Sequence, residues 1–233
     1  MSNVVWITGA SAGIGKALAI KFANQNHKVI GTARRLELVE EIRDATKFPS
    51  NILPRKNNVA IYSDVDKIVK EIQSEHNIHC LINNAGVTSF KPFIENSIND
   101  IDDIINTNLK GAIYTIKSVL PQMIKNNSGI IFNILSVAAV KIFANSSIYA
   151  ASKAGLEAFS KVIREELREN NIRLINIYPG ATATDIWPEQ AFNKFSDKMM
   201  TPENLANLVY DIYSNSQFLS LEEIVVRPIT GDL

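Results

Sequence analysis

A short, unbroken apolar run, Val4-Val5-Trp6-Ile7, passes directly into Thr8-Gly9-Ala10-Ser11-Ala12-Gly13-Ile14-Gly15. Beyond it Ile14, Ala17, Leu18 and Phe22 recur at helical spacing. The run suits a strand buried on both faces. The glycines let the chain turn tightly into the helix and bring its backbone close to a ligand. Exposed N–H groups at the helix start, with the helix dipole behind them, favour a pyrophosphate. The spacing is Gly-x-x-x-Gly-x-Gly rather than the commoner Gly-x-Gly-x-x-Gly. A tight βα connection that binds nothing is the competing reading.

The same alternation runs on through the chain. Strand-like runs stand at Val29–Ala33, Ile52–Lys56, His79–Ile82, Ile130–Leu135, Leu174–Tyr178 and Glu223–Val226. Helical patterns separate them: Leu36–Arg43, a helix carrying Ile68, Val69 and Ile72 with Asp64 as its cap, Asn99–Met123, Lys153–Arg168, and one opening at Thr201-Pro202. Pro54 cannot donate to a ladder, so a strand at Ile52–Lys56 is tolerated only at an edge. Alternating strands and helices mean right-handed βαβ units. The expected fold is α/β, a doubly wound and mainly parallel seven-stranded sheet, in one domain over residues 1–233. A loop over about 185–200 follows the sixth strand.

Composition removes several function classes. With 24 basic and 24 acidic side chains there is no basic field for a nucleic acid or an anionic membrane. The single cysteine, Cys80, excludes an internal disulfide and a cysteine metal cluster. No stretch approaches the roughly 18 apolar residues of a membrane helix, and no signal peptide precedes the first strand. A soluble cytoplasmic protein with no bound metal is expected.

Ligands of such sheets bind at the carboxyl ends of the strands. The candidate residues collect there. The second strand ends in Arg34-Arg35, with no acid before Glu37. An acid near this point would hold a ribose 2′-hydroxyl, whereas paired guanidiniums suit a 2′-phosphate, so NADP(H) is favoured over NAD(H). The fourth strand opens into Asn83-Asn84-Ala85-Gly86. Asn108 interrupts the apolar stripe of a helix, and a buried amide there needs partners. The fifth strand ends at Ser136; Tyr149 and Lys153 follow, four apart and so on one helix face. A cation beside a phenol favours the phenolate and draws its pKa towards neutrality. The sixth strand stops at Pro179-Gly180 and leads to Thr182 and Thr184.

Taken in order, Thr8-Gly9-x-x-x-Gly13-x-Gly15, Asn83-Asn84-Ala85-Gly86, Asn108, Ser136, Tyr149-x-x-x-Lys153, Pro179-Gly180 and Thr184 resemble the short-chain dehydrogenase/reductase family. The resemblance runs from Val4 to about Thr184 and implies strand order 3-2-1-4-5-6-7. It implies Tyr149 as general acid-base, Lys153 lowering its pKa and holding the nicotinamide ribose, Ser136 bonding the substrate oxygen, and Asn108 holding a relay water. The cofactor would be NADP(H), with NAD(H) as the lesser alternative. It would lie against Gly9, Ser11, Ala12, Gly13, Ile14, Gly15, Arg34, Arg35, Asn84, Ala85, Gly86, Pro179, Gly180, Thr182 and Thr184. Asn58-Val59 stands where the family often has Asp-Val on the adenine, and the Asn58 carbonyl can still accept that hydrogen bond. The reaction implied interconverts a small-molecule carbonyl and a secondary alcohol. Ser136, Ala138, Phe143, Tyr149 and Trp187, with Phe90 or Phe93, would form the substrate pocket. A homodimer or homotetramer through the helices at Asn99–Met123 and Ser152–Arg168 is also implied. A cofactor-binding sensor without useful catalysis is the main alternative, and a structural subunit that binds nothing is a third.

Overall fold

Seven apolar runs become seven strands, each hydrogen-bonded in parallel to its neighbours. The computed structural model describes residues 1–215 and 219–231; the remainder of the expected domain, 216–218 and 232–233, lies outside the described residues. In chain order the elements are β1 (Ser2–Thr8), α1 (Gly13–Asn24), β2 (Lys28–Ala33), α2 (Leu36–Asp44), β3 (Ile52–Lys56), α3 (Tyr62–Glu75), β4 (His76–Asn83), α4 (Ile98–Ile105), α5 (Gly111–Lys125), β5 (Gly129–Ile134), α6 (Ser147–Glu166), β6 (Ile172–Pro179), α7 (Glu189–Phe195), α8 (Pro202–Asn215) and β7 (Glu223–Val226). The sheet order is β3-β2-β1-β4-β5-β6-β7, as the resemblance implied.

Helices cover both faces, and the two-residue period of the strands divides the core between them. Val5 and Ile7 of β1 pack with Leu18 and Phe22 of α1 and Val209 of α8. Val4 and Trp6 point the other way, to Ile68 and Ile72 of α3 and Ile116 of α5. Trp6 is fully buried, and its Nε1 donates to Thr32 Oγ1 at 3.0 Å. Pro54 pairs opposite Gly31 on β3, an edge strand, where a missing donor leaves no neighbour unsatisfied.

Three local expectations change. Asp64 lies in the first turn of α3 and does not cap it; Ile61 holds the N-cap position, and the Asp64 N–H bonds to the Ile61 carbonyl at 3.1 Å. The expected helix Asn99–Met123 is α4 and α5 joined by a π-helical turn, Asn106–Lys110, with Asn108 inside it. A π turn inserts one residue into the helical ladder and commonly marks a functional position. The helical pattern at Lys153–Arg168 extends back to Ser147, and Tyr149 shares that helix with Lys153 as expected. The loop after β6 is not wholly irregular, because it holds α7. Thr201 caps α8 as expected: its Oγ1 accepts from the Asn204 N–H at 3.2 Å, and its own N–H donates to Asn204 Oδ1 at 2.9 Å. No described helix is long and apolar enough to cross a membrane.

Candidate active site

A parallel sheet brings all its strand ends to one edge, and the loops there enclose a cleft of about 680 Å³. The wall at β1 is the glycine turn. Gly9 (φ 67°) and Gly13 (φ 52°) adopt backbone that L-residues rarely take. A Cβ on Gly15 would stand 2.2 Å from the Gly9 carbonyl oxygen. The turn is tied to the loop after β4: Thr8 Oγ1 accepts from the Asn84 and Ala85 N–H groups, and Asn84 Nδ2 donates to the Thr8 and Gly9 carbonyls, each at 3.1 Å. α1 opens at Ala12 with no side-chain cap and no acid in its first turn. Its leading N–H groups therefore face the cleft without a protein anion, which is the condition for binding phosphate.

At the end of β2, Arg34 and Arg35 are exposed and line the cleft. Beside them stands a residue the sequence reading missed. Asn57 is 4% exposed and lines the cleft, yet both its side-chain nitrogen and its side-chain oxygen lack a partner. Native structures rarely leave such atoms orphaned. Asn58 also lines the cleft, but its Oδ1 already accepts from the Ala60 N–H at 3.1 Å in a local turn. The free amide beside Arg34 is therefore that of Asn57, one position before the one expected. The strand register carries the signal: the Asn57 N–H continues the β2–β3 pairing to the Ala33 carbonyl at 3.0 Å.

Ser136, Tyr149 and Lys153 meet at the end of β5. Ser136 Oγ accepts from the Ala138 N–H at 3.1 Å and shares a hydrogen bond with the Tyr149 hydroxyl. Lys153 is buried, and its Nζ donates to the Ile134 carbonyl at 2.8 Å and lies 5.7 Å from the Tyr149 ring centroid. Burial pushes the phenol above its ordinary value, against the smaller pull of the Ser136 bond. The expected lowering by Lys153 is thus outweighed, because the ammonium is turned to Ile134. Burial also lowers Lys153 to about 8.

Asn108 does not line the cleft. It is 1% exposed, behind Gly86 and Val87. Its Oδ1 accepts from the Val87 N–H at 2.8 Å, while Nδ2 donates to the Val87 carbonyl at 2.8 Å and to Ser152 Oγ at 3.1 Å. The side chain fastens the β4 loop to α6, and both its N–H donors are spent, so a relay water gains no donor from it. Gly15 is also absent from the lining, since it faces Gly9 and Asn84. The other expected residues line the cleft: Gly9, Ser11, Ala12, Gly13, Ile14, Arg34, Arg35, Asn58, Val59, Asn84, Ala85, Gly86, Ser136, Ala138, Phe143, Tyr149, Lys153, Pro179, Gly180, Thr182, Thr184 and Trp187. Of the paired alternatives Phe90 lines it, while Phe93 is 60% exposed outside. Thr32, Val87, Thr88, Thr107, Ser146 and Ile186 are among the wall residues that had not been expected; they are small or apolar with no chemical signature in the sequence, and the charged Asp185 also lines the cleft.

A doubly wound parallel sheet, an uncapped helix behind a glycine turn, and a serine, tyrosine and lysine gathered at one strand end define a dinucleotide-dependent oxidoreductase acting on CH–OH groups. Residues 3–194 match the model of the short chain dehydrogenase family, and the chain belongs to that family. It is 34% identical over 245 residues to a sepiapterin reductase of Chlorobaculum tepidum, covering 100% of this chain and 99% of that one. It is 30% identical over 238 residues to the NADP-dependent 3-hydroxy acid dehydrogenase YdfG of Escherichia coli, covering 97% and 95%. Among solved structures, the closed form of serine dehydrogenase complexed with NADP+ superposes with a TM-score of 0.92 at 29% identity, over 99% of this chain and 96% of the other.

Proposed function

We propose that the protein is an NADPH-dependent carbonyl reductase in which Tyr149 is the proton donor. The observation that carries this reading is the joint placement of Ser136, Tyr149 and Lys153 on one wall of the cleft. NADP(H) fits the residues present. The uncapped start of α1 would take the pyrophosphate, Arg34 and Arg35 a 2′-phosphate, and the orphaned amide of Asn57 the adenosine end. The NADP-bound and NADP-dependent relatives support the same choice over NAD(H).

When bound, the cofactor supplies the hydride. The chain's own residues supply position and the proton. Ser136 would hold the substrate carbonyl oxygen beside the Tyr149 hydroxyl to which it is already bonded. A phenol raised by burial stays protonated at neutral pH, as a general acid for reduction must. It would give its proton to the alkoxide oxygen as negative charge develops there. The Lys153 ammonium, charged below about pH 8, would then stabilise the phenolate left behind. Asn108 would act as a positioning residue through Val87 and Ser152.

The relatives are a sepiapterin reductase in one case and a 3-hydroxy acid dehydrogenase in another, so both substrate classes belong in the first test. NADPH oxidation should exceed NADH oxidation on at least one carbonyl class. Equal rates with the two cofactors would reject the reading of Arg34 and Arg35. Association of copies through α4, α5 and α6 is part of the same proposal, and the feature that speaks for it lies on the α6 side. Its support is an apolar groove beside the cleft, lined by Val140, Ile142, Ala150, Ala151 and Ala154, with Ile142 96% exposed.

A further inference from the structure

Two rings meet across the mouth of the cleft. Phe90, on the loop after β4, and Trp187, on the loop after β6, lie face to face with centroids 5.4 Å apart and planes inclined by 9°. The sheet order runs β4-β5-β6, so these loops flank the end of β5, where Ser136 stands. The contact between them therefore bridges the two sides of the cleft that Ser136 also lines. Trp187 Nε1 donates to the Thr182 carbonyl at 2.9 Å, which fixes the indole to its own loop. Among the described residues no hydrogen bond joins Trp187 to Phe90. A stack of this kind adds little beyond the area it buries, so it can part for entry and re-form on a substrate.

The charges of the cleft are distributed unevenly. Among the described residues, four charged side chains line it: Arg34, Arg35, Lys153 and Asp185. The arginines follow β2, three strands from β5 and so about 14 Å away at ordinary strand spacing. Lys153 is bonded to Ile134 and lies beside Tyr149. Of the lining residues only Asp185, adjacent to the roof, is left at the substrate end, and it is an anion; outside the lining, the Lys141 ammonium lies over the Phe143 ring at 5.8 Å. A carboxylate drawn under two aromatic rings would lose its water and find no second cation.

Resting on the reductase reading above, we propose that the Phe90–Trp187 stack is the specificity element of this site. It is an aromatic roof over Ser136 that parts to admit, and then clamps, an uncharged planar carbonyl compound, and that disfavours carboxylate-bearing ones. A free 3-hydroxy or 3-keto acid is then a poor substrate, and a flat conjugated or aryl ketone a good one.

The test uses a matched pair, methyl benzoylformate and benzoylformate, which differ in one negative charge. Trp187 reports binding through its fluorescence in the NADP+-loaded protein; Trp6 is fully buried in the core, and a Trp187→Phe control assigns the signal. The ester should bind at least about tenfold more tightly than the anion, the scale of one lost stacking and desolvation margin. Phe90→Leu should weaken ester binding and raise its KM by about tenfold with kcat and NADP+ affinity little changed, and Phe90→Tyr should restore both. Anion binding equal to or tighter than the ester's overturns the proposal, as does a Phe90→Leu variant that binds the ester unchanged. The readout is independent of turnover. Ester preference without NADPH oxidation on any carbonyl upholds the roof and rejects the reductase; oxidation without that preference does the reverse.

Discussion

At the residue scale, the cleft separates the groups proposed to do chemistry from groups that hold the wall. Ser136, Tyr149 and Lys153 face one another, whereas Gly15 and Asn108 act from behind. The four-residue spacing of Tyr149 and Lys153 made their shared face legible, because helical geometry alone fixes it. Their protonation was not legible. It depends on burial and on where the ammonium turns, and the Ile134 carbonyl that receives it is a main-chain group with no mark in the sequence. Asn57 teaches the same lesson: Asn57 and Asn58 are the same letter, and only the register of β3 tells them apart. Two orphaned atoms in Asn57 cost stability until a ligand meets them, at about 1–3 kcal/mol for an unsatisfied group. Asn57→Leu should therefore melt at the same or a higher temperature without cofactor, yet bind NADPH about tenfold more weakly. Thermal melting with and without NADPH checks both signs, and a variant that melts lower but binds normally would contradict the assignment.

At the element scale, strands proved more legible than helix details. Apolar runs gave most strands, while β3, interrupted by Pro54 and ending in Arg55-Lys56, is tolerated because the sheet order puts it at the edge, where a missing donor costs no pairing. The π turn at Asn106–Lys110 was hidden, since one inserted residue barely disturbs an apolar stripe that is already wide. The buried ladder of Asn83, Asn133 and Asn176 was hidden too, although these residues stand opposite one another on β4, β5 and β6. Asn83 Nδ2 donates to Asn133 Oδ1 at 2.9 Å, and Asn133 Nδ2 donates to Ser160 Oγ at 2.9 Å, which fastens α6 and its Tyr149 to the sheet. On the outside of the same helix, Ala150, Ala151 and Ala154 form a flat apolar strip beside Ile142. Sedimentation should show a dimer or tetramer, and Ile142→Glu should shift it towards monomer. A wild-type monomer at micromolar concentration would refute association through this face.

At the scale of the whole molecule, the sheet divides the chain into a working edge and an opposite end whose chemistry is stability. There His79 of β4 and His27, just before β2, pack with Phe22, Tyr210 and Tyr213. Burial lowers both histidines below their ordinary value, and the nearby Arg173 adds to the effect at His79. With a folded pKa below the unfolded one, the unfolded chain takes up protons first as pH falls. Stability is then complete above the ordinary histidine range near 6.5 and declines below it, towards the lowered folded values. Denaturant melts at pH 7.5 and 5.5 should show that loss, and His79→Asn should reduce the difference between them. An unchanged difference would place the acid sensitivity elsewhere. The fold and the order of the site were open to sequence reasoning because parallel βαβ units bring distant motifs to one edge. The roof of Phe90 and Trp187 was not, because it joins two loops 97 residues apart whose meeting depends on the strand order between them.

The central claim is that Tyr149 donates the proton, and NADPH oxidation by Tyr149→Phe tests it most directly. The hydroxyl is removed and the ring retained, so the variant should fold and should show the wild-type NADPH-induced thermal shift. Its turnover on the best carbonyl substrate should fall by about 10²–10⁴-fold, the usual contribution of a general acid. Turnover within a few-fold of wild type would show that the proton comes from another group and would contradict the account.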